Sequence, residues 1–290
     1  MATKYVFNGT QSGTADGSFS DPYDLTNLSS AESGAGSGGK VIFKNGAYTM
    51  SANLLMASSG VTYEAETSLG AVFTSSVQGT SGKQIQFGLP TTPANDIIVN
   101  GLKFVDTGGS TNISGISVQS DQNNKVTLNN CEFINTHANF VGMIGNGQTS
   151  NVYLNLTANG CLFDFGASTT MHGNPAQLFA QRSDASKRDI NITNCTFVFR
   201  GSGQPFRSSN AQINTFKNVI LYKDGSSGNI AQSTSYIPAN HQGACYYNWS
   251  DVTSDDTAQS LIVADPLFVD LSSQDYRLRP GSPCLGAGVL

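Results

Sequence analysis

The chain is poor in charged residues: Asp, Glu, Lys and Arg make up 12% of its 290 residues, about half the share of an average globular protein. This composition excludes a coiled coil or a helical bundle, because those helices are rich in Glu, Lys and Leu. The net charge of −5 and the lack of a basic patch exclude the phosphate neutralisation on which nucleic-acid binding depends. The 16 Phe and 10 Tyr residues, in contrast, supply enough apolar surface to exclude wholesale disorder.

Long apolar runs are also missing, since no stretch approaches 18 apolar residues, and we expect no membrane insertion. The opening Met-Ala-Thr-Lys-Tyr carries neither the basic nor the apolar region of a signal peptide, so we expect no leader. Five cysteines in so long a chain do not form a disulfide scaffold, and their spacing does not fit a zinc site. We therefore expect no metal and no other cofactor.

Three of the cysteines occupy nearly identical contexts, which indicates an internal repeat. Cys131, Cys161 and Cys195 each follow Asn or Gly, and each is followed two residues later by Phe. Leu102 and Val219 fit the same frame, and the intervals along the series are 29, 30, 34 and 24 residues. A unit that returns at this spacing is typical of a solenoid. Because no base recurs beside the three cysteines, we interpret them as small buried apolar residues.

The side-chain period within each unit predicts its secondary structure. Apolar residues alternate before the cysteine, as in Val126 and Leu128, and after it, as in Cys131 and Phe133, and a period of two indicates strands. One Gly or Asn separates the two strands, and both residue types adopt the left-handed backbone of a sharp bend at low cost. The bend residues are Gly101, Asn130, Gly160, Asn194 and Asn218. Stacked in parallel, these units predict an all-β fold, a single-stranded right-handed parallel β-helix.

The stacking predicts two columns of buried side chains along the rod, with like residues about 4.8 Å apart. The columns are Leu102–Cys131–Cys161–Cys195–Val219 and Phe104–Phe133–Phe163–Phe197–Leu221. Segments 41–43, 61–63 and 72–73 have the pattern of the first rungs. A short N-terminal capping helix is predicted over 24–31, where Leu25, Leu28 and Ala31 share one face after an Asp.

We interpret residues 1–290 as a single β-helix domain. Residues 1–40 form the N-terminal cap and a Ser/Gly-rich loop, 41–240 the rungs, and 241–290 the last rungs and a C-terminal cap. Motifs at both ends support this division: YVFNG over 5–9, DGSFSDPY over 16–23, GKVIFKNGAY over 39–48, DPLFVD over 265–270, DYRL over 275–278 and GSPC over 281–284. On these motifs the chain resembles the right-handed parallel β-helix family with pectate-lyase-like folds. The resemblance implies a C-terminal segment that folds back over the last rungs.

The resemblance also implies two classes of function. Members of the family include polysaccharide lyases and hydrolases, bacterial surface proteins, and phage particle proteins such as tail spikes and capsid decorations. The short start before the β-helix resembles the phage members, which implies a structural or adhesive component of a virus particle that binds surface glycans. Its partners would be other virion proteins, host-surface polysaccharide or further copies in a homotrimer, and its location the virion or, alternatively, outside a cell. The alternative function is a lyase or glycoside hydrolase acting on an acidic polysaccharide.

Candidate catalytic residues lie at positions that point away from the predicted core. Glu132 and Asp164 fall diagonally on neighbouring rungs, and a pair of carboxylates is what glycoside hydrolysis requires. Lys103 lies beside Glu132, where it serves either as the base that the resemblance implies for a lyase or as an exposed ion-pair partner. His137 follows the Phe133 strand, and histidine is the residue type whose unperturbed pKa lies closest to neutrality, as a general base requires. We favour the structural interpretation for each, which weighs against an enzyme and leaves open a polysaccharide lyase or glycosidase.

Candidate carbohydrate-binding residues are aromatic or cationic. Tyr222, Tyr246, Tyr247 and Trp249 can stack on sugar rings, although packing in the C-terminal cap is the favoured interpretation of the last three. Arg200 and Arg207 flank a Gly-Ser-Gly segment and can hold an anionic sugar. Calcium requires several convergent oxygen ligands, and the closest acidic cluster, over 251–256, lacks the pattern of a calcium loop.

Overall fold

The structure is a computed structural model, and it describes residues 1–11, 13–52, 54–75, 85–87, 95–107, 117–118, 124–136, 142–143, 154–165, 188–200, 213–225, 227–230, 241–252 and 260–287. Within these residues the chain coils into a right-handed parallel β-helix, as the repeat predicts. Three parallel sheets run along the rod, and a separate antiparallel hairpin follows the last strand of sheet B. Strands are numbered in chain order.

Each sheet collects one strand from successive turns of the coil. Sheet A contains β1 Thr3–Phe7, β2 Tyr23–Asp24, β3 Lys40–Phe43, β6 Thr62–Ala65, β9 Ile97–Asn100, β12 Asn124–Asn129, β15 Leu154–Asn159, β17 Arg188–Thr193, β19 Ile213–Lys217 and β21 His241–Gln242. Sheet B contains β4 Gly46–Met50, β7 Ala71–Ser75, β10 Lys103–Asp106, β13 Glu132–Thr136, β16 Leu162–Phe165, β18 Thr196–Phe199, β20 Ile220–Lys223, β22 Cys245–Tyr247 and β23 Ile262–Val263. Sheet C contains β5 Leu54–Met56, β8 Ile85–Phe87, β11 Ser117–Val118 and β14 Gly142–Met143, and the hairpin contains β24 Phe268–Asp270 and β25 Asp275–Leu278.

One residue makes the bend from sheet A to sheet B, as predicted. All five predicted bend residues have a positive φ, from 51° at Asn130 to 64° at Gly160. The asparagine side chains bond from rung to rung: Asn218 Nδ2 donates to Asn194 Oδ1 at 3.1 Å, and Asn194 Nδ2 donates to Asn159 Oδ1 at 2.8 Å. This corner lies at the surface of the rod, since Asn130 and Asn194 are exposed.

The two predicted columns form the core. Leu162 N–H donates to the Cys131 carbonyl at 2.9 Å and Thr196 N–H donates to the Cys161 carbonyl at 3.0 Å, so the cysteines sit one above another. All three cysteines of the column are free and buried. In the second column, the Phe163 ring stacks on Phe133 at 4.9 Å and on Phe197 at 4.8 Å between centroids. The aromatic stack extends beyond the predicted column toward the N-terminus, through Phe73 and Tyr48.

The N-terminal cap begins where it is predicted and ends later. A 3-10 turn over Leu25–Asn27 leads into α1, Leu28–Ala35, and Asp24 Oδ1 accepts from the Asn27 N–H at 3.1 Å. Part of the predicted Ser/Gly loop is therefore helix, because Glu32 is buried and bonded to the rung that follows. Within the described ranges, no helix is long and apolar enough to cross a membrane.

Candidate functional site

The C-terminal hairpin lies against the outer face of sheet B. Phe268 of β24 and Tyr276 of β25 pack on apolar side chains of that face, and both rings are buried. The covered residues are Ile134, Leu162, Val198, Ile220 and Cys245. A disulfide between Cys245 and Cys284 ties the segment after the hairpin to β22, with the two Cα atoms 5.7 Å apart. The chain is thus no disulfide scaffold, but its closing segment is cross-linked to the rod.

A buried polar network, here called the clasp, pins the hairpin to the rod through Asp164, Arg200, Gln274 and Tyr276. Arg200 Nε donates to both carboxylate oxygens of Asp164, at 2.9 and 3.1 Å, and Gln274 Nε2 donates to Asp164 Oδ2 at 3.0 Å. The Tyr276 hydroxyl donates to the same oxygen, and Arg200 Nη2 donates to the Leu271 carbonyl at 3.1 Å. Burial acts to lower the pKa of Arg200, but the hydrogen bonds to Asp164 and the negative charge of Asp164 outweigh burial, so the pKa of Arg200 is raised.

The clasp corrects two sequence-based expectations. Asp164 points outward from its strand as the alternation predicts, yet it has no exposed surface because the hairpin covers it. Asp164 therefore cannot act on a substrate together with Glu132. Arg200, expected to hold an anionic sugar, is bound to Asp164 and lies 3.7 Å from Asp224.

The glutamate groove, named for Glu132, is a cleft of about 420 Å³ along β25. It is lined by Ser68, Leu69, Asn130, Cys131, Glu132, Gly160, Leu162, Thr196, Gln274, Asp275, Tyr276 and Arg277. Its charges are compensated locally: Lys103 Nζ lies 2.7 Å from Glu132 Oε2, and Arg277 Nη2 lies 2.5 Å from Asp275 Oδ2. Hydrogen bonding from Arg277 lowers the pKa of Asp275. The groove thus holds two ion pairs.

The tyrosine groove, named for Tyr222, is a cleft of about 540 Å³ beside β24. It is lined by Tyr222, Asp265, Leu267, Phe268, Val269, Asp270, Leu271, Ser272 and Arg279. The Tyr222 ring stacks on Tyr247 of the next rung at 5.1 Å and meets the Phe268 ring edge-on at 5.2 Å. Tyr222 is half-buried and lines the cleft together with Phe268, while Tyr247 supports the Tyr222 ring without lining the cleft itself.

Hydrogen bonds hold the polar side of the tyrosine groove in place. Asp270 Oδ1 accepts from the Ser272 N–H at 2.9 Å and from the Ser272 hydroxyl at 2.7 Å, and such bonds from Ser272 and Ser273 lower the pKa of Asp270 to about 2. Asp265 Oδ1 accepts from the Leu267 N–H at 2.8 Å. Burial, with the nearby charges of Asp224 and Asp265, raises the pKa of Tyr222 to about 12, so the phenol stays protonated.

The remaining predicted binding residues lie elsewhere. Trp249, one of the candidates for stacking on a sugar ring, is not available for this contact. Its ring is buried, and its Nε1 donates to the Leu221 carbonyl at 3.0 Å. Tyr246 is also buried, in line with the aromatic column. His137 and Arg207 lie outside the described residues, as does part of the acidic cluster over 251–256. In the part of the chain that the structure describes, no three His, Cys, Asp or Glu side chains gather as a metal site would require.

The residues that build the tyrosine groove were not identified as site residues from the sequence. Asp265, Asp270 and Arg279 belong to or follow the C-terminal motifs, which were interpreted only as signs of the fold. The signal that was present is the density of turn-forming Asp and Ser between two short strands. Among the residues that line this groove, only Tyr222 was predicted from the sequence as a carbohydrate-binding candidate.

Comparisons with known proteins give distant structural likenesses only. No family model and no curated protein matches the chain. Among solved structures it is similar to pectin methylesterase PemA from Erwinia chrysanthemi, with 12% identity, 90% of this chain and 80% of that chain covered, and a TM-score of 0.41. It is similar to pectate lyase Pel9A, with 12% identity, 98% and 90% covered, and a TM-score of 0.49. A pectin methylesterase in complex with hexasaccharide VII has 13% identity, 89% and 82% covered, and a TM-score of 0.41.

At identities of 12–13% these likenesses concern the fold alone. The class of this protein is therefore defined by its own features: a parallel β-helix whose C-terminal hairpin borders two surface grooves. What the grooves do is argued from their residues.

Proposed function

We propose that this β-helix binds a polysaccharide in the tyrosine groove without cleaving it. The observation that carries the proposal is the Tyr222 ring, supported by Tyr247, on the wall of a cleft that also contains two carboxylates and an arginine. Sugar rings combine an apolar face with a rim of hydroxyls. A site of this kind, with one aromatic surface and a few placed polar groups, matches both.

The aromatic wall is organised before a ligand arrives. Tyr222 stacks on Tyr247 and contacts the Phe268 ring at an interplanar angle of 62°, at centroid distances of 5.1 and 5.2 Å. A side chain that is already fixed loses little rotamer entropy on binding, so more of the stacking energy appears as affinity. The neighbouring strands of sheet B provide the rigid support that such a site needs.

The polar wall offers hydrogen-bond acceptors to hydroxyl groups. In the described part of the chain, Asp265 and Asp270 each use Oδ1 for the backbone of their own turn and leave Oδ2 without a partner. Hydroxyl bonds to an ionised carboxylate are shorter and stronger than neutral ones. The two aspartates can therefore orient a sugar that rests against Tyr222.

Cleavage in either groove is not part of the proposal, because the four carboxylates Glu132, Asp164, Asp270 and Asp275 are unsuited to it. A glycosidase needs one carboxylic acid whose pKa is raised to hold a proton, and a second carboxylate facing it. Asp164 is buried in the clasp, Glu132 is paired with Lys103, and the pKa values of Asp270 and Asp275 are lowered.

The test is affinity electrophoresis of the purified chain through gels that contain single polysaccharides. We expect retardation by at least one of them, and Tyr222→Ala to weaken it at least tenfold, the loss of a central aromatic contact. Tyr222→Phe keeps the ring and should stay within about threefold. Phe19→Ala, which removes an exposed aromatic ring near the N-terminus, is the matched control. No retardation by any polysaccharide, or equal loss with Phe19→Ala, would refute the proposal.

Incubating the purified chain with the same polysaccharides in solution tests the alternative of a lyase or hydrolase. Unsaturated products in the ultraviolet or new reducing ends would show cleavage and overturn the non-catalytic part of the proposal. Three proposals rest on the sequence: that the chain belongs to a phage particle, that virion proteins are its partners, and that it forms a homotrimer. Immunogold labelling of purified particles tests the first, and light scattering tests the trimer.

A further inference from the structure

We infer that the polysaccharide bound in the tyrosine groove is a neutral glycan rather than a polyuronate. This inference rests on the proposed function and names its ligand class. It departs from the acidic polysaccharide that the family resemblance implies, and it follows from the charges around Tyr222.

The fixed charges on the cleft wall are mostly negative. Asp265 and Asp270 both line the groove, and Asp224 lies close enough to act on Tyr222 electrostatically. The hydrogen bonds of the Ser272 turn keep Asp270 ionised throughout the physiological pH range. A uronate carboxylate seated against Tyr222 would therefore meet like charges, and this repulsion lowers its affinity at low ionic strength.

Two arginines lie in or near the cleft, and only one of them lines it. Arg279 lines the groove, but its Nη2 donates to the Val269 carbonyl at 2.7 Å. Arg200 is committed to Asp164 at 2.9 Å and faces Asp224 at 3.7 Å. Among the residues that line the groove, the positive charge of Arg279 is therefore outnumbered by the negative charges of Asp265 and Asp270, and Arg200 is held away from a ligand by Asp164.

A neutral sugar avoids both problems. Its hydroxyls donate to the outer carboxylate oxygens of Asp265 and Asp270, and its apolar face stacks on Tyr222. The chain's net charge of −5 also repels a polyanion at long range while leaving a neutral glycan unaffected.

The experiment measures affinity for two matched panels at low salt: neutral β-glucan, mannan and arabinan, and the polyuronates polygalacturonate and alginate. We expect the wild-type chain to bind at least one neutral glycan at least tenfold more tightly than either polyuronate. Raising the salt concentration should leave neutral binding unchanged, because screening acts only on charge.

The double variant Asp265→Asn/Asp270→Asn keeps the Oδ1 acceptors of both turns and removes the charges. We expect the ratio of polyuronate to neutral-glycan affinity to rise at least tenfold in this variant. Asp21→Asn, at an exposed position near the N-terminus, is the control and should leave the ratio unchanged.

The outcomes separate the inference from the function it rests on. Tighter binding of a polyuronate, with or without added Ca²⁺ as a bridge, would overturn the neutral-ligand inference and leave polysaccharide binding standing. An unchanged ratio in the double variant would also overturn it, since charge would then not determine the choice. Failure to bind either panel would refute the proposed function itself.

Discussion

Replacing Arg200 with methionine is expected to release the C-terminal hairpin from the rod. The guanidinium makes two hydrogen bonds to Asp164 and one to the Leu271 carbonyl in the hairpin turn. Arg200→Met leaves the Asp164 carboxylate, which has no exposed surface, without its charge partner. Breaking a buried ion pair on one side costs about 3–5 kcal/mol, so the variant should lose this amount of unfolding free energy.

A second substitution shows whether the buried charge is the cause. Asp164→Asn in the Arg200→Met background removes the uncompensated carboxylate, so we expect the double variant to be more stable than Arg200→Met alone. Such a reversal is the signature of two side chains that act as a pair. Arg277→Met is the matched control, because Arg277 lies on the same hairpin but its ion pair with Asp275 is exposed; it should cost about 0–1 kcal/mol.

Urea unfolding gives the free energies, and hydrogen exchange over 268–278 shows whether the hairpin opens before the rod. A loss below about 1 kcal/mol in Arg200→Met, or equal losses in Arg200→Met and Arg277→Met, would refute the reasoning, because neither fits a buried pair.

Three further predictions concern the core and the cap. Phe163→Ala, which empties a place between two stacked rings, should cost about 3–5 kcal/mol in urea unfolding. Tyr246→Phe should stabilise by about 1 kcal/mol in the same assay, because no described residue bonds the buried Tyr246 hydroxyl. Burial raises the pKa of Glu32 above its ordinary value of 4.5, despite a hydrogen bond from Tyr63. The folded state therefore binds the carboxyl proton of Glu32 more tightly than the unfolded state does. The free energy of unfolding should consequently fall as the pH rises from 4.5. Glu32→Gln should abolish this part of the pH dependence in unfolding curves measured at successive pH values; an unchanged slope would contradict it.

The rungs could be predicted because their physical cause is local and repeated. A bend at one Gly or Asn, followed by two inward side chains, fixes where each strand starts and which face is buried. Cys161 and Phe163 therefore revealed a column that the structure reproduces. The same register, carried one turn further, places Tyr246 in the Phe column and would have assigned it to the core at once.

The surface could not be predicted in the same way, because the segment that covers it returns from far along the chain. Tyr276 and Gln274 bond to Asp164 across 112 and 110 residues, and nothing in the rung pattern of β16 anticipates that contact. Alternation correctly indicates which side chains point outward from the core. An outward side chain is exposed to solvent, however, only where no other part of the chain lies on the sheet. The two grooves follow the edges of the hairpin. The charged residues of the tyrosine groove, Asp265, Asp270 and Arg279, therefore come from the closing segment. In this rod the repeat builds the support, and the non-repeating tail determines what the described face of sheet B can bind.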